Sequence, residues 1–172
     1  ALCFWGGSWR TMVEMHVFGL ALDEESQVPL LILKDKEEKY VLPIWIGAME
    51  AMSISMTLNK VQLPRPLTHD LMLESFKALG VEMIQVAVVD LREGTYYAEL
   101  TLAQGEENYL VDSRPSDAIA LALRAKTPIF ASEEVLEQVA ANRKKDQKPE
   151  IKTDDAEKWT EILERFDEDD TK

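Results

Sequence analysis

Short runs of apolar and β-branched residues alternate with charged turns along this chain, and longer stretches carry apolar residues at helical spacing. Short runs of this kind favour strands, whereas apolar residues at every third and fourth position favour helices. The pattern predicts, in order, strands 13–22, 28–34 and 40–46, helices 48–58 and 68–79, strands 81–91, 95–102 and 108–113, a helix from 115, a strand 128–131 and a helix 133–141.

The two halves of this pattern repeat one order of elements, three strands and then a helix. A shift of 67 residues superimposes the first set on the second without a gap and places Glu50 on Asp117. Sequence identity between the halves is slight, so the duplication is a hypothesis based on element order and one matched acid. The predicted fold class is therefore α+β, with two βββα units forming a mixed or antiparallel sheet on which the helices pack.

Composition divides the chain into three parts. Residues 1–11 are predicted to be an apolar N-terminal extension, residues 12–141 the domain, and residues 142–172 an acidic, partly helical tail. The tail contains a predicted amphipathic helix, 156–166, which either docks weakly or binds a partner.

The net charge is −13, which argues against broad electrostatic capture of nucleic acid, since phosphate binding normally requires a basic face. No stretch approaches the roughly 20 apolar residues that span a bilayer, so no membrane association is expected. A single cysteine, Cys3, excludes an intrachain disulfide. Without an export signal, a cytoplasmic location is expected.

Glu50 is the only charged residue in the apolar stretch 48–58. An unpaired buried carboxylate is costly, so this acid must be paired or must face a cavity. The structural interpretation is an acid that complements the helix dipole in the first turn, and the functional one is a site residue.

A second polar group surrounds the start of the helix at 68. Thr68 is a natural N-cap with Asp70 in the first turn, which explains both residues structurally. His69 is open to several interpretations: a general base, a metal ligand, a phosphate contact or an exposed histidine at a helix start. His16 lies in mid-strand and is expected to be packed.

A third polar group lies at the start of the helix at 115. Ser113 is a candidate N-cap, Pro115 suits the first turn, and Asp117 complements the helix dipole. Both Arg65 and Arg114 precede a proline, with a hydroxyl residue and an aspartate further on. Two such helix starts would bind an anion if they converge, whereas separate arginines would form structural ion pairs.

The chain has no glycine-rich phosphate loop, dinucleotide fingerprint, nucleophile elbow or His-Glu-x-x-His motif. Carboxylates, a histidine and two arginines suit metal-assisted phosphodiester hydrolysis, with acids on the ion and arginines on the phosphate. The same residues suit a plain anion-binding pocket, and composition does not separate the two.

Four segments together resemble the bifunctional nuclease domain family, over about residues 12–140. These segments are MVEM at 12–15, LPIWIG at 42–47 followed by Glu50 and Ala51, RPLTHDL at 65–71, and SRPSDAIALA at 113–122. The resemblance implies an α+β domain, a homodimer, and activity against both DNA and RNA. Many bacterial members also carry a C-terminal segment similar to an excision-repair interaction motif, for which residues 159–166 are a candidate.

From these observations we expect a nuclease that uses a divalent metal such as Mg or Mn. The candidate residues are Glu50, His69 and Asp117 for catalysis, Arg65, Arg114 and Ser116 for phosphate binding, and Glu50, Asp70 and Asp117 for the metal. The alternative is a non-catalytic module in which the same cluster binds an anion or a regulatory partner.

Overall fold

The computed structural model describes residues 2–5 and 8–143, so the predicted tail helix and interaction motif lie outside the described residues. The strands are β1 (Leu2–Trp5), β2 (Ser8–Leu22), β3 (Pro29–Asp35), β4 (Val41–Trp45), β5 (Glu82–Arg92), β6 (Thr95–Gln104), β7 (Glu107–Ser113) and β8 (Ile129–Ser132). The helices are α1 (Ala48–Leu58), α2 (Thr68–Ala78), α3 (Pro115–Ala125) and α4 (Glu133–Arg143).

The strands form a mixed sheet in the order β4-β3-β2-β8-β5-β6-β7, with β1 paired to the start of β2. Only the pairing of β5 with β8 is parallel among the described strands, and the other pairings are antiparallel. The predicted α+β class is confirmed. Strand β4 lies at the end of this order, and its Pro43 fits an edge strand because proline cannot donate a ladder hydrogen bond.

The two halves keep the expected order: β2-β3-β4 and β5-β6-β7 are each three neighbouring antiparallel strands followed by a helix. The helices α1 and α3 contact one another, and β8 lies between the two sets of strands. This arrangement agrees with the element order on which the duplication hypothesis rests. The duplication itself stays a prediction.

The main core lies between one face of the sheet and the helices. Alternate strand residues such as Leu31, Leu33 and Val86 are buried there against Ile54 of α1 and Ile119 of α3. Fully burying an aliphatic side chain of this size contributes about 1.5–3 kcal/mol, so this packing holds α1 and α3 on the sheet.

Several predicted boundaries were wrong, and three of them lie at the starts of β2, α3 and α2. Strand β2 begins at Ser8 rather than at 13. The N-cap of α3 is Arg114, not Ser113, because the residue before Pro115 is driven into an extended conformation. The N-cap of α2 is Leu67 rather than Thr68, and its N–H donates to Asp70 Oδ2 at 2.9 Å.

Ser132 caps α4, because its Oγ accepts the N–H of Val135 at 3.2 Å at the start of that helix. Among the described helices, none is long and apolar enough to cross a membrane.

Candidate functional site

A cleft of about 700 Å³ opens between helices α1, α2 and α3 and the strands β6 and β7. Its polar lining consists of Glu50, Ser53, Thr68, His69, Asp112, Ser113, Arg114 and Asp117. Its apolar lining consists of Met49, Met52, Leu67, Met72, Phe76, Leu100, Leu102, Val111 and Leu121.

Local sequence determines which way the polar side chains point. Glu50 and Asp117 are each the third residue of their helix, where a carboxylate complements the positive end of the helix dipole. Ser53 lies three residues after Glu50, so both side chains share one face of α1. His69 is the second residue of α2. The cleft therefore brings together residues from the starts of three helices.

The centre of the cleft is a chain of hydrogen bonds through His69. Ser53 Oγ lies 3.0 Å from His69 Nδ1, and His69 Nε2 lies 3.1 Å from Asp117 Oδ1. The imidazole is 14% exposed and Ser53 is buried. A serine hydroxyl, an imidazole and a carboxylate linked in this order form the arrangement that activates a serine nucleophile.

Arg124 is a second hydrogen-bond partner of Ser53. Its NH2 donates to Ser53 Oγ at 3.0 Å and to the Ser53 carbonyl at 3.1 Å, while its NH1 donates to the Ala120 carbonyl at 3.0 Å. Its Nε donates to Asp70 Oδ1 at 2.9 Å. The guanidinium thus ties α1, α2 and α3 together, and its side chain is only 9% exposed.

These contacts determine the proton positions for neutral His69. Because Ser53 Oγ accepts a hydrogen bond from Arg124, its own hydroxyl proton is free to point at His69 Nδ1. The neutral imidazole then carries its proton on Nε2 and donates it to Asp117. Every member of the chain is satisfied in this tautomer.

Arg114 lies between two carboxylates at the mouth of the cleft. Its NH1 is 2.8 Å from Glu50 Oε1, and its Nε and NH2 are 2.8 and 2.7 Å from Asp117 Oδ2. The hydrogen bond and charge of Asp117, followed by those of Glu50, raise the pKa of Arg114 above its usual value. Gly47 leaves room for Glu50, since a Cβ there would collide with Glu50 Oε2.

The expected metal ligands are not gathered around one position. Asp117 offers Oδ1 to His69 and Oδ2 to Arg114, and Asp70 offers its two oxygens to Arg124 and the Leu67 N–H. The described residues include no group of three or more His, Cys, Asp or Glu side chains that could hold a metal ion. Glu50, Asp70 and Asp117 therefore do not fit a shared metal in this arrangement.

The remaining candidates lie apart from the central chain of hydrogen bonds. Asp70 does not line the cleft. Arg65 is exposed in the loop between α1 and α2 and lines neither cleft that Arg114 borders. Ser116 is buried and borders a smaller cleft of about 360 Å³ beside Arg114. His16 is exposed on β2 rather than packed, and it lines a separate groove.

Sequence reasoning brought Glu50, His69, Arg114 and Asp117 to attention, and the structure places all four in the cleft. It missed Ser53 and Arg124. One signal for Ser53 was present: it is a polar residue three positions after the lone acid of an apolar helix, on the same face. No local pattern pointed to Arg124, whose partners lie up to 71 residues away.

Comparison with known proteins adds a family and named relatives. The model of the bifunctional nuclease domain matches residues 31–144, a range that contains α1, α2 and α3. An uncharacterised protein of Mycobacterium tuberculosis is 38% identical over 165 residues, covering 94% of this chain and 99% of the relative. Two plant proteins named bifunctional nuclease 1 match over a part of their length. The rice protein (Oryza sativa subsp. japonica) is 28% identical, and the match covers 64% of this chain and 34% of the rice protein. The Arabidopsis thaliana protein is 31% identical, and the match covers 59% of this chain and 32% of the Arabidopsis protein.

Proposed function

We propose that this chain, which belongs to the bifunctional nuclease domain family, hydrolyses phosphodiester bonds of DNA or RNA in the cleft between α1, α2 and α3. The observation that carries the proposal is the position of His69, which lies between Ser53 and Asp117 inside that cleft. A histidine held by a carboxylate and facing a hydroxyl is a unit for moving a proton. The plant relatives named as nucleases support the substrate class.

In this proposal the residues have separate roles. His69 takes up and returns the proton, and Asp117 orients the imidazole and stabilises its positive charge. Arg114, which is 65% exposed, turns from its two carboxylates towards a phosphate oxygen of the substrate.

The charged side chains that line the cleft predict weak binding of a phosphate. Glu50, Asp112 and Asp117 outnumber Arg114, so an incoming phosphate must compete with acids for that guanidinium. We therefore expect weak ground-state binding with a shallow dependence on salt, because few cations are available to release counterions from the substrate.

A divalent metal was expected from the sequence, but the hydrogen bonds of the carboxylates do not favour metal binding. Because the oxygens of Asp70 and Asp117 already accept hydrogen bonds, a metal would have to displace His69 or an arginine from them. The proposed reaction therefore uses the side chains of the cleft without a metal ion.

The chain offers a matched pair of variants that tests the proposal. The sequence has two histidines, and His16 lies on β2 outside the cleft. His69→Ala should lose about 10²- to 10⁴-fold in the rate of cleavage of single-stranded DNA and RNA, whereas His16→Ala, purified identically, should cleave as the wild type does. Equal cleavage by all three proteins would identify a contaminant and remove the proposal.

That same outcome would favour a second candidate function, a non-catalytic module that binds an anion or a partner. The observation on its side is that Arg114 is already paired with two carboxylates, as in a structural ion-pair network.

We also propose a homodimer formed through the apolar rim of the cleft. Apolar side chains that line the cleft are unusually exposed: Met49 is 67%, Met72 41% and Val111 40% exposed, and Leu71, next to Met72 on α2, is 58% exposed. Exposed apolar residues of this kind favour a protein–protein contact. A second copy packed on this rim must leave the mouth of the cleft open to the substrate and water of the proposed hydrolysis.

A further inference from the structure

The two ring nitrogens of His69 are both engaged. Nδ1 faces Ser53 Oγ, and Nε2 faces Asp117 Oδ1. A general base that activates water needs a nitrogen open to that water, within about 2.6–3.2 Å of it. Here Ser53 Oγ already occupies that position at 3.0 Å. The hydroxyl that His69 is placed to deprotonate is therefore that of Ser53.

We infer that Ser53 is the nucleophile of the proposed phosphodiester hydrolysis, which passes through a covalent phosphoserine diester. This inference rests on the proposed function for its substrate class, and on the Ser53–His69–Asp117 geometry for its mechanism.

The first step forms the bond between Ser53 Oγ and phosphorus. The hydroxyl proton moves to His69 Nδ1, and Asp117 accepts the hydrogen bond of Nε2–H while the ring is positively charged. The bond from phosphorus to the leaving oxygen breaks on the side opposite Ser53, and that oxygen receives a proton from water, while the Ser53 proton stays on His69. One half of the substrate departs as an alcohol, and the other half stays esterified to Ser53.

The second step hydrolyses the intermediate and regenerates the free Ser53 hydroxyl. Water attacks phosphorus on the side opposite Ser53 and gives up a proton to solvent, the bond from phosphorus to Ser53 Oγ breaks, and Oγ recovers its proton from His69 Nδ1. The sum is one diester and one water giving one alcohol and one phosphate monoester. No metal, oxidant or further reactant is needed.

Arg124 supports the same assignment through its own hydrogen bond to the Ser53 hydroxyl. Its NH2 is 3.0 Å from Ser53 Oγ, and a permanently charged donor at that distance stabilises negative charge developing on the oxygen. Its three other contacts, to Asp70, Ala120 and the Ser53 carbonyl, hold the guanidinium in place before the reaction begins. Arg124 is a positioning residue, because it acts through Ser53.

Another serine of the same helix has none of these features. Ser55 is buried like Ser53, but its Oγ accepts a hydrogen bond from Asn59 Nδ2 at 3.2 Å and it does not line the cleft. Loss of the Ser55 hydroxyl therefore controls for the loss of a buried serine from α1.

The experiment follows the covalent intermediate directly. The wild type, Ser53→Ala, Ser53→Cys and Ser55→Ala are incubated with bis(p-nitrophenyl) phosphate in chelator, quenched in acid, and analysed by intact mass and peptide mapping. Cleavage of a single-stranded oligonucleotide is measured in parallel, and urea unfolding verifies that each variant is folded.

We expect a p-nitrophenyl phosphate adduct on Ser53 in the wild type and in Ser55→Ala, and none in Ser53→Ala. The cleavage rate of Ser53→Ala should fall by about 10³-fold or more, since loss of a nucleophile leaves only binding and electrostatic contributions. Ser53→Cys keeps a nucleophilic atom at this position and should carry the adduct at residue 53, which separates chemistry from folding.

Folded Ser53→Ala that cleaves the oligonucleotide within about threefold of the wild-type rate would overturn the assignment and leave the nuclease proposal standing. An adduct on Ser53 without any oligonucleotide cleavage would support the nucleophile and reject the nuclease substrate. A wild type that turns over the diester with no adduct, including in the pre-steady state, would also overturn it.

Discussion

His69 Nε2 lies 3.1 Å from Asp117 Oδ1, and this contact joins the first turn of α2 to the first turn of α3 across 48 residues of chain. Asp117 accepts from Arg114 through its other oxygen, so a single carboxylate orients both the imidazole and the guanidinium of the cleft. Asp117 is therefore the residue whose loss disturbs the proposed chemistry at two points.

Asp117→Asn tests that dual role. The amide is uncharged, and only one of its two polar atoms accepts a hydrogen bond. It therefore cannot accept from both His69 and Arg114 as the carboxylate does, so His69 loses its orientation and Arg114 loses its principal partner. Activity on single-stranded nucleic acid should fall by about 10²- to 10⁴-fold, measured as initial rates. Asp112→Asn makes the same change of charge in the wall of the cleft, where His69 is hydrogen-bonded to Ser53 and Asp117 rather than to Asp112. Its effect should be much smaller, and equal losses would show that only net charge matters.

Removal of divalent metal tests the role of the carboxylates. Because the oxygens of Asp70 and Asp117 are engaged by hydrogen bonds, cleavage by the wild type should persist in excess chelator. The measurement is the initial rate with chelator and after adding back Mg or Mn. Activity abolished by chelator and restored by the metal would show that these carboxylates rearrange around an ion.

Gly47→Ala tests the pairing of Glu50 with Arg114. The new Cβ would collide with Glu50 Oε2, and the flexible side chain should swing away and release Arg114 NH1. Arg114 then becomes more available to phosphate, so the Kd for a short single-stranded oligonucleotide should fall by about two- to fivefold. Fluorescence anisotropy measures this change.

Glu50→Gln provides the check on that interpretation. It should tighten binding to a similar extent. The double variant should bind little more tightly than either single variant, because both substitutions remove the same contact between Glu50 and Arg114. The backbone of Gly47, with φ −74° and ψ 160°, accepts alanine without strain, so the midpoint of thermal unfolding should hold. Fully additive effects would show that Gly47 acts on something other than Glu50.

Arg124→Met tests how much the buried guanidinium stabilises the packing of the helices. The substitution removes four hydrogen bonds and leaves the Ser53 carbonyl and Asp70 without this partner, so the free energy of unfolding should fall by about 1–3 kcal/mol. Urea unfolding measures it. Arg92→Met, which removes an exposed pair with Asp90 on the β5–β6 hairpin, should change stability little. A similar loss in both variants would contradict a special role for Arg124.

Leu71→Asp tests the proposed homodimer. This side chain is 58% exposed on α2 beside the cleft, and a carboxylate there should prevent a second copy from packing. Sedimentation equilibrium should show a dimer for the wild type and a monomer for the variant. Phe18→Ser changes an exposed aromatic residue on β2 that does not line the cleft, and it should stay dimeric. A wild-type protein that is monomeric at micromolar concentration would rule out the proposed dimer.

The sequence by itself determined the elements and their order, because hydrophobic periodicity and turn residues are local signals. Helix α1 was predicted at 48–58 and is Ala48–Leu58, and the α+β class followed from two runs of three strands, each followed by a helix. The sequence also identified Glu50 as a lone acid in an apolar helix, and His69 and Asp117 as members of polar groups at predicted helix starts. Boundary errors occurred where neighbours compete, as at Ser113, whose cap position Arg114 takes because of Pro115.

Only the tertiary structure decided which side chains meet. His69 reaches Ser53 across 16 residues and Asp117 across 48, and Arg124 reaches Ser53 across 71. These contacts depend on how α1, α2 and α3 pack on the shared sheet, and packing is set by buried area summed over the whole domain. No window of sequence contains that sum, which is why Asp70 could be predicted as a metal ligand and yet lie in an ion pair with Arg124.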